Sequence, residues 1–132
     1  MLRIKKFTAT DSEFEDICRV ENLTRFDSVA VPSEQRRWWK KRNKEKAFRK
    51  LLLYNNNHFI GVNNYCKGIK ENNKNCYFSI YLDPEYQDDS FYEILYSEMI
   101  KDIKKWNCSK LFPYVFEHPN YNRYSEFLIK NE

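Results

Sequence analysis

The stretch "CYFSIYLDPEYQDDSFYEILYSEM", residues 76 to 99, shows two periodicities in succession. Residues 76 to 82 are rich in aromatic and β-branched side chains, which predicts a central strand, and Pro84 ends it. Apolar residues then recur at three- and four-residue spacing, which predicts a helix with one stripe packed on a sheet: Tyr92, Leu95, Tyr96, Met99, Ile103 and Trp106. This order of strand, loop and helix often places a helix N-terminus beside a phosphate.

The rest of the chain predicts four further strands: residues 2–7, 48–54, 58–66 and 109–117. We expect the three asparagines before His58 to form a hairpin turn, because Asn tolerates a positive φ. Pro113 cannot donate to a strand ladder, so it indicates an edge or a bulge in the last strand.

Three further helices are predicted. The first covers residues 11–24, is capped by Thr10 or Asp11, and buries one face: Phe14, Ile17, Cys18 and Glu21. The second begins in "VPSEQRRWWKK" with Ser33 as its cap, and the last follows Pro119. The predicted order is β-α-α-β-β-β-α-β-α, which indicates a single mixed α/β domain over residues 1–132.

The composition is typical of a globular chain. The 132 residues are 42% hydrophobic and 17% aromatic, and the net charge of +4 permits an acidic partner without requiring one. The apolar runs are too short for a membrane span, and the N-terminal residues show no signal peptide. We therefore expect a cytoplasmic protein that does not act on a membrane.

Cysteine and histidine contents argue against a metal site. Cys18, Cys66, Cys76 and Cys108 show no close pairing, so we expect free, mostly buried thiols. The two histidines, His58 and His118, are too scattered to form a metal site with them.

The loop before the helix that carries Tyr92 to Trp106 contains no glycine. Asp88 and Asp89 precede Ser90-x-x-Glu93, a pattern that predicts a capping box in which Ser90 and Glu93 bind each other's backbone amides. Two interpretations stay open: a variant phosphate-binding loop, or a helix start capped by its own side chains. The loop alone favours the second.

The element order resembles the GNAT superfamily of N-acetyltransferases. "LRIKKFTATDSEFEDICRV" (2–20) is similar to that family's first strand and helix, and "LLLYNNNHFIGVNNY" (51–65) to its second and third strands, with Ile60-Gly61 as the apolar–glycine step. "CYFSIYLDPEYQ" (76–87) resembles the fourth strand entering the cofactor loop, and "EFLIKNE" (126–132) the last helix. The resemblance implies a mixed, mostly antiparallel sheet flanked by helices, here without the family's final two strands.

The resemblance implies acetyl-coenzyme A as cofactor. The family's cofactor loop has Arg or Gln, then two variable residues, Gly, one variable residue, and Gly or Ala. In this sequence, the six positions are Gln87, Asp88, Asp89, Ser90, Phe91 and Tyr92. Gln87 matches, whereas Ser90 and Tyr92 replace the small residues. The backbone amide of Leu82 or Asp83 would contact the acetyl oxygen. The five acids from Asp83 to Glu93 oppose a polyanionic cofactor, because like charges about 4 Å apart repel by about 1–4 kcal/mol.

The resemblance also implies catalytic residues. The family's proton-donating tyrosine falls at Leu128, which has no proton to give, so Tyr124, one helical turn earlier, is the substitute, with Tyr121 further back. An aromatic packed on the sheet is the structural alternative for Tyr124. Glu117 and His118 are candidates for the general base or are surface loop residues.

The segment "RRWWKKRNKEK", residues 36 to 46, combines basic and aromatic side chains. In the family this region borders the acceptor pocket, so the resemblance implies that Arg36 and Trp38 bind the acceptor, with a positive rim that suits an acidic one. A solvated helix pinned to the core by one tryptophan gives the same string, and nucleic-acid binding is a third interpretation.

Three functions follow as hypotheses: an N-acetyltransferase acting on an unknown primary amine of a small molecule or peptide, a non-catalytic GNAT-like structural half or binding module, and a nucleic-acid binder. The predicted last strand would leave an exposed sheet edge, for which three explanations stay open: the sequence is a fragment, a partner chain (a homodimer) or a further C-terminal domain covers the edge, or the family has a shortened form.

Overall fold

A computed structural model describes residues 1–24, 29–42, 47–68, 75–113, 124 and 127–129. Its elements are β1 (Leu2–Lys6), α1 (Asp11–Thr24), α2 (Pro32–Lys41), β2 (Phe48–Asn55), β3 (His58–Lys67), β4 (Asn75–Leu82), a short 3-10 helix (Pro84–Tyr86), α3 (Asp89–Lys105) and β5 (Lys110–Pro113). Residue 124 and residues 127–129 are also helical. The predicted element order is confirmed as far as these residues extend.

The five strands form one sheet in the order β1-β2-β3-β4-β5. The first four are antiparallel neighbours, and β5 runs parallel to β4. This confirms the mixed, mostly antiparallel sheet and the central position of β4. We call the end where β4 stops at Leu82 the upper end, and the end where β1 stops at Lys6 and β2 begins the lower end.

Helices α1 and α3 cover opposite faces of the sheet. The Asn63 amide donates to the Leu95 carbonyl of α3 at 3.3 Å, whereas the neighbouring Asn64 accepts from Lys50, which faces Glu21 of α1. Consecutive strand residues point to opposite faces, so the two helices sandwich the sheet. The predicted apolar stripes are confirmed: α1 buries Phe14, Ile17 and Cys18, and α3 buries Tyr92, Leu95, Met99 and Ile103.

Two local predictions are also confirmed at the β2–β3 hairpin. Asn56 and Asn57 have φ of 51° and 75°, the left-handed values that a two-residue turn between twisted strands requires. Further along β3, a Cβ on Gly61 would lie 2.3 Å from Leu82 Cδ2 and 2.8 Å from the Tyr81 carbonyl oxygen. The apolar–glycine step therefore lets β3 approach the upper end of β4 closely.

Ser33 does not cap α2, so this prediction is wrong. The helix begins at Pro32 and its cap position is Val31, whose carbonyl accepts from the Glu34 and Gln35 amides at 3.1 and 3.0 Å. Proline suits the first helical position because its ring fixes φ and its missing amide has no partner there anyway. Ser33 is therefore already inside the helix.

The expectation of four free thiols is also wrong, because Cys76 and Cys108 form a disulfide. The bridge spans 32 residues and joins the start of β4 to the segment that follows α3. Helix α3 runs antiparallel to β4 and so returns the chain to its start, which the cysteine spacing could not show. Cys18 is buried, as predicted.

Strand β5 ends at Pro113, which pairs with Phe78 at the edge of the described sheet. This agrees with an edge position for the proline. The remainder of the predicted strand, residues 114 to 117, lies outside the described residues.

Candidate functional site

The N-terminus of α3 is closed by the side chain that precedes it. Asp88 has an extended backbone and occupies the cap position, and its carboxylate accepts from the Ser90 amide at 2.8 Å and the Ser90 hydroxyl at 2.7 Å. The Phe91 and Tyr92 amides donate to the Asp88 carbonyl at 3.1 and 3.3 Å. The first turn is thus satisfied by Asp88 through both its side chain and its carbonyl.

The predicted Ser90–Glu93 capping box is therefore wrong. Helix α3 begins at Asp89, so Ser90 is its second residue and donates its hydroxyl to the cap instead of acting as one. A carboxylate is a stronger acceptor than a hydroxyl, and Asp is among the preferred caps. The interpretation as a self-capped helix start holds, with Asp88 as the capping residue.

The loop between β4 and α3 is fixed by further internal contacts. The Asp83 amide donates to the Ile60 carbonyl at 2.8 Å, and the Asp83 carboxylate accepts from the Glu85 amide at 3.0 Å. Arg19 of α1 pairs with that carboxylate at 3.0 Å. Gln87 donates its side-chain amide to the Leu82 carbonyl at 3.3 Å. The predicted loop residues are thus brought together at the upper end of the sheet.

This helix terminus does not fit a pyrophosphate in the conformation described. The Ser90 amide, one of those that a phosphate would need, already binds the Asp88 carboxylate. Residues 83 to 93 contain no Lys or Arg, and Arg19, the cation that reaches the loop, is engaged by Asp83. The helix dipole favours an anion by only about 0.3–1 kcal/mol, less than the repulsion from a neighbouring carboxylate near a protein surface, about 4 kcal/mol.

Tyr92, at the position of a small residue in the family loop, is a core residue here. Its ring is buried and stacks on Tyr124 and Phe127, with centroids 5.5 and 5.4 Å apart. The large side chain is therefore accommodated by the interior and not by the loop surface.

Tyr124 lies in the same aromatic cluster. It is fully buried, and its ring also contacts Phe78 edge-on at 6.5 Å. Burial raises the pKa of Tyr124 well above its usual value, against the lowering effect of a hydrogen bond with the Ile80 backbone. The position is the one expected of an aromatic packed on the sheet. Half-buried Leu128 packs against this core, and Glu117, His118 and Tyr121 lie outside the described residues.

The two tryptophans of α2 have different environments. Trp39 packs edge-on against Phe7 and Phe48, with centroids 4.9 and 5.8 Å apart, whereas Trp38 is 52% exposed. Arg36 pairs with Asp11, and its guanidinium lies 5.2 Å from the Phe14 ring centre. Trp38 nevertheless packs edge-on against Phe48 at 5.1 Å, so both tryptophans hold the helix, while Arg36 and the exposed part of Trp38 lie at its surface.

Sequence reasoning missed a cavity of about 330 Å³ at the lower end of the sheet. It is lined by four basic and four aromatic side chains together with Ala47: Lys6, Phe7, Trp39, Arg42, Phe48, Arg49, Lys50 and Trp106. We call this cavity the basic pocket. Its residues come from β1, the end of α2, β2 and the end of α3. Two local signals point to it: the basic and aromatic segment of residues 36 to 46, which contributes Trp39 and Arg42, and "FRK", residues 48 to 50, in which one aromatic residue precedes two basic ones.

Lys50 is the most buried cation of the basic pocket. Its ammonium donates to the Asn64 side-chain carbonyl at 2.8 Å. Burial lowers the pKa of Lys50, and the neighbouring Glu21 carboxylate partly opposes that effect. On the other face of the sheet, the Arg49 guanidinium lies 3.7 Å from the Asp102 carboxylate, which also accepts a hydrogen bond from the Tyr65 hydroxyl.

Other classes of site are not supported by the part of the chain that the structure describes. Within those residues, no cluster of His, Cys, Asp or Glu has an arrangement that could hold a metal ion. Nor is any of the described helices long and apolar enough to cross a membrane.

Comparison with known proteins identifies the fold. No family model and no curated protein sequence matches the chain. An N-acetyltransferase from Staphylococcus aureus Mu50 is structurally similar, with a TM-score of 0.76 at 13% identity over 99% of this chain and 82% of that one. A second match is an aminoglycoside antibiotic 6'-N-acetyltransferase from Acinetobacter baumannii, with a TM-score of 0.69 at 15% identity over 99% and 88%. A third is an aminoglycoside acetyltransferase from an uncultured soil metagenomic sample, with a TM-score of 0.73 at 11% identity over 99% and 87%. The chain therefore has the fold of GNAT acetyltransferases.

Proposed function

We propose that this protein is a GNAT-type N-acetyltransferase, which transfers acetyl from acetyl-coenzyme A to a primary amine. The observation that supports the proposal is the fold, which matches acetyltransferases over nearly the whole chain. Because a fold hosts more than one function, the proposal extends to the reaction class and no further.

The cap of α3 determines how tightly the cofactor would bind. In this proposal Leu82, Gln87 and the first turn of α3 form the cofactor-facing surface, and Asp88 competes with the cofactor for the Ser90 amide. We therefore expect weak binding that improves when the Asp88 charge is removed.

A second candidate is a GNAT-like binding module without catalysis. Two observations favour it: Asp88 closes the helix terminus, and Tyr124, the substitute proton donor, is fully buried. Both observations concern residues that acetyl transfer would need to be open to the cofactor.

Calorimetry with acetyl-coenzyme A separates the two candidates. Asp88→Asn removes one charge while Asn still caps a helix, so we expect at least about fivefold tighter binding, because a like charge about 4 Å from the cofactor contributes about 1–4 kcal/mol of repulsion. Glu98→Gln removes a charge from the opposite half of α3 and is the matched control, with affinity unchanged. Absence of binding to wild type and Asp88→Asn at millimolar cofactor would reject the transferase and leave the binding module.

For the acceptor, we propose a small-molecule or peptide amine that also carries an acidic group. Helix α2 presents the exposed cations Arg37, Lys40 and Lys41 beside Arg36 and Trp38, and this rim repels a polycation. Two similar structures are aminoglycoside acetyltransferases, so the alternative acceptor is a polycationic amine. Charge reversal at Arg36 and Arg37 should raise KM for an acidic amine and lower it for a polycationic one, and unchanged KM values would contradict the proposed rim.

A further inference from the structure

The basic pocket lies at the opposite end of the sheet from the loop that the fold assigns to a cofactor. Leu82 pairs with Gly61 at the upper end, whereas Phe48, in the pocket wall, pairs with Cys66 at the lower end. An inference about this pocket is therefore independent of whether acetyl-coenzyme A binds.

The charge of the pocket is unbalanced. Its lining includes Lys6, Arg42, Arg49 and Lys50, and none of the described residues that line it is acidic. Two acids lie behind the lining: Asp102 faces Arg49 at 3.7 Å, and Glu21 lies near Lys50. Four cations gathered around one cavity repel each other, and a bound anion would relieve that repulsion.

Arg42 is positioned by neutral groups. Its guanidinium lies 3.6 Å from the centre of the Trp39 ring and donates to the Trp39 carbonyl oxygen. A guanidinium held over a ring by cation–π contact has remaining donors that suit the oxygens of a carboxylate or phosphate.

The walls add rigid apolar surface to these charges. Phe7 and Trp39 pack edge-on at 4.9 Å, and Trp106 closes the other side, where its ring lies 5.5 Å from that of Tyr65. A volume of about 330 Å³ is at the lower end of the range for small-molecule sites, about 300–1,000 Å³. The pocket is thus large enough for a compact organic molecule as well as for a bare ion.

We infer that the basic pocket binds a small organic anion in which a phosphate or carboxylate is attached to a flat, apolar body. The anionic group lies against Arg42 and Arg49, and the flat body contacts the rings of Trp39 and Trp106. A concave pocket walled by aromatic rings favours such a molecule over a nucleic-acid strand, which needs an extended basic track.

The test titrates the full chain with four probes and follows binding by calorimetry and by the indole resonances of Trp39 and Trp106. Phenyl phosphate and benzoate each carry both features, whereas inorganic phosphate lacks the ring and phenol lacks the charge. We expect phenyl phosphate, benzoate or both to bind at least tenfold more tightly than inorganic phosphate and phenol. Comparing the two organic anions distinguishes a phosphate ligand from a carboxylate.

Variants locate the binding site. Arg42→Gln and Arg49→Gln should each weaken the preferred probe at least fivefold, since each removes a charge-assisted hydrogen bond. Lys101→Gln removes one charge from the exposed surface of α3, away from both proposed sites, and should stay within twofold of wild type. Arg42→Gln keeps the test decisive if loss of the Arg49–Asp102 pair unfolds the other variant, because Arg42 is held by neutral groups.

Three outcomes would overturn the inference. The first is an organic anion that binds no more tightly than inorganic phosphate, which would leave a general attraction for anions. The second is an equal loss in Lys101→Gln and Arg42→Gln, which would show that binding does not depend on the pocket. The third is an oligothymidylate that binds more tightly than phenyl phosphate, which would indicate a nucleic-acid surface.

Discussion

The loop at the upper end of the sheet is acidic, whereas the pocket at the lower end is basic. The upper end has the helix N-terminus that suits an anion, yet its loop is acidic: Asp83, Glu85, Asp88, Asp89 and Glu93. The lower end carries the basic pocket, which gathers four cations. A fold can therefore provide a helix N-terminus that suits an anion, but the neighbouring side chains determine whether an anion binds there.

The contrast has a simple physical origin in where each acid is anchored. Asp88 immediately precedes the helix it caps, so its carboxylate is always present at the Ser90 amide, like a tethered ligand at high effective concentration. At the lower end, the acids that face the pocket among the described residues are Glu21 of α1, near Lys50, and Asp102 of α3, near Arg49. At the upper end, the Asp88 carboxylate thus neutralises the partial positive charge of the helix N-terminus. At the lower end, the described residues of the basic pocket keep an excess of positive charge.

The largest expected effect is a loss of stability on truncating a buried aromatic ring near the upper end. Tyr92→Ala deletes a buried ring stacked on Tyr124 and Phe127, and such truncations cost about 3–5 kcal/mol of unfolding free energy. Chemical denaturation measures it, with exposed Glu93→Ala as the neighbouring control, expected within about 0.5 kcal/mol of wild type. A similar small effect for Tyr92→Ala would mean that this residue faces the loop surface and not the core.

Reduction of the disulfide is expected to be the next largest effect, and it acts at the lower end. The Cys76–Cys108 bridge closes a loop of 32 residues and fixes the segment after Trp106, a wall of the basic pocket. We expect a loss of about 2–4 kcal/mol in the unfolding free energy on reduction. The double variant Cys76→Ser/Cys108→Ser should have this lower stability and show no further change with reductant. Four titratable thiols in the denatured, unreduced wild type would contradict the bridge.

Much of the fold was predictable because its signals are local. The stripe of α3, the apolar run of β2 and the Asn56-Asn57 turn are each encoded within a few residues. The disulfide and the basic pocket were not predictable, since their residues are distant in the sequence and meet only after the sheet and α3 have formed. The lining of the pocket comes from four separate elements, among which only α2 carried an obvious basic signal.

Helix starts show where a local signal is insufficient. Thr10-x-x-Glu13 and Ser90-x-x-Glu93 share one pattern, but only the first forms a capping box. In α1 the Glu13 amide donates to Thr10 Oγ1 at 3.3 Å, and the Thr10 amide donates to the Glu13 carboxylate at 3.0 Å. In α3 the aspartate two residues before Ser90 takes over the cap. The pattern predicts a helix start, and the neighbouring acceptors decide which residue closes it.

A pH-dependent prediction concerns the charge of the basic pocket. Because the folded-state pKa of Lys50 is lowered, the unfolded chain binds more protons between that pKa and about 10.4, so stability should rise with pH there. The rise is at most about 1.4 kcal/mol per pH unit and should vanish in Lys50→Met.

The thiol of Cys18 titrates in the same range with the opposite sign. Burial raises the pKa of Cys18 to about 11, so its contribution to stability falls as the pH rises above the usual thiol value. The protein with Lys50 and its Lys50→Met variant are therefore compared, each with the additional change Cys18→Ala, by chemical denaturation from pH 7 to 10. Parallel stability curves for the two chains would show that Lys50 is not desolvated.

The smallest effect concerns the cap itself and bears most directly on the contrast between the two ends. Asp88→Ala removes the acceptor of the Ser90 amide and should lower the unfolding free energy by about 1 kcal/mol, within a range of about 0.5–2 kcal/mol. Asp88→Asn should be nearly neutral, because an amide oxygen caps as well as a carboxylate does. If both variants lost the same stability, the charge of Asp88 acting on the helix dipole, and not its hydrogen bond, would stabilise the terminus. The upper end would then be an anion site whose bound anion is the Asp88 carboxylate itself. It would attract negative charge as the basic pocket does, and would differ from that pocket because its site is already occupied.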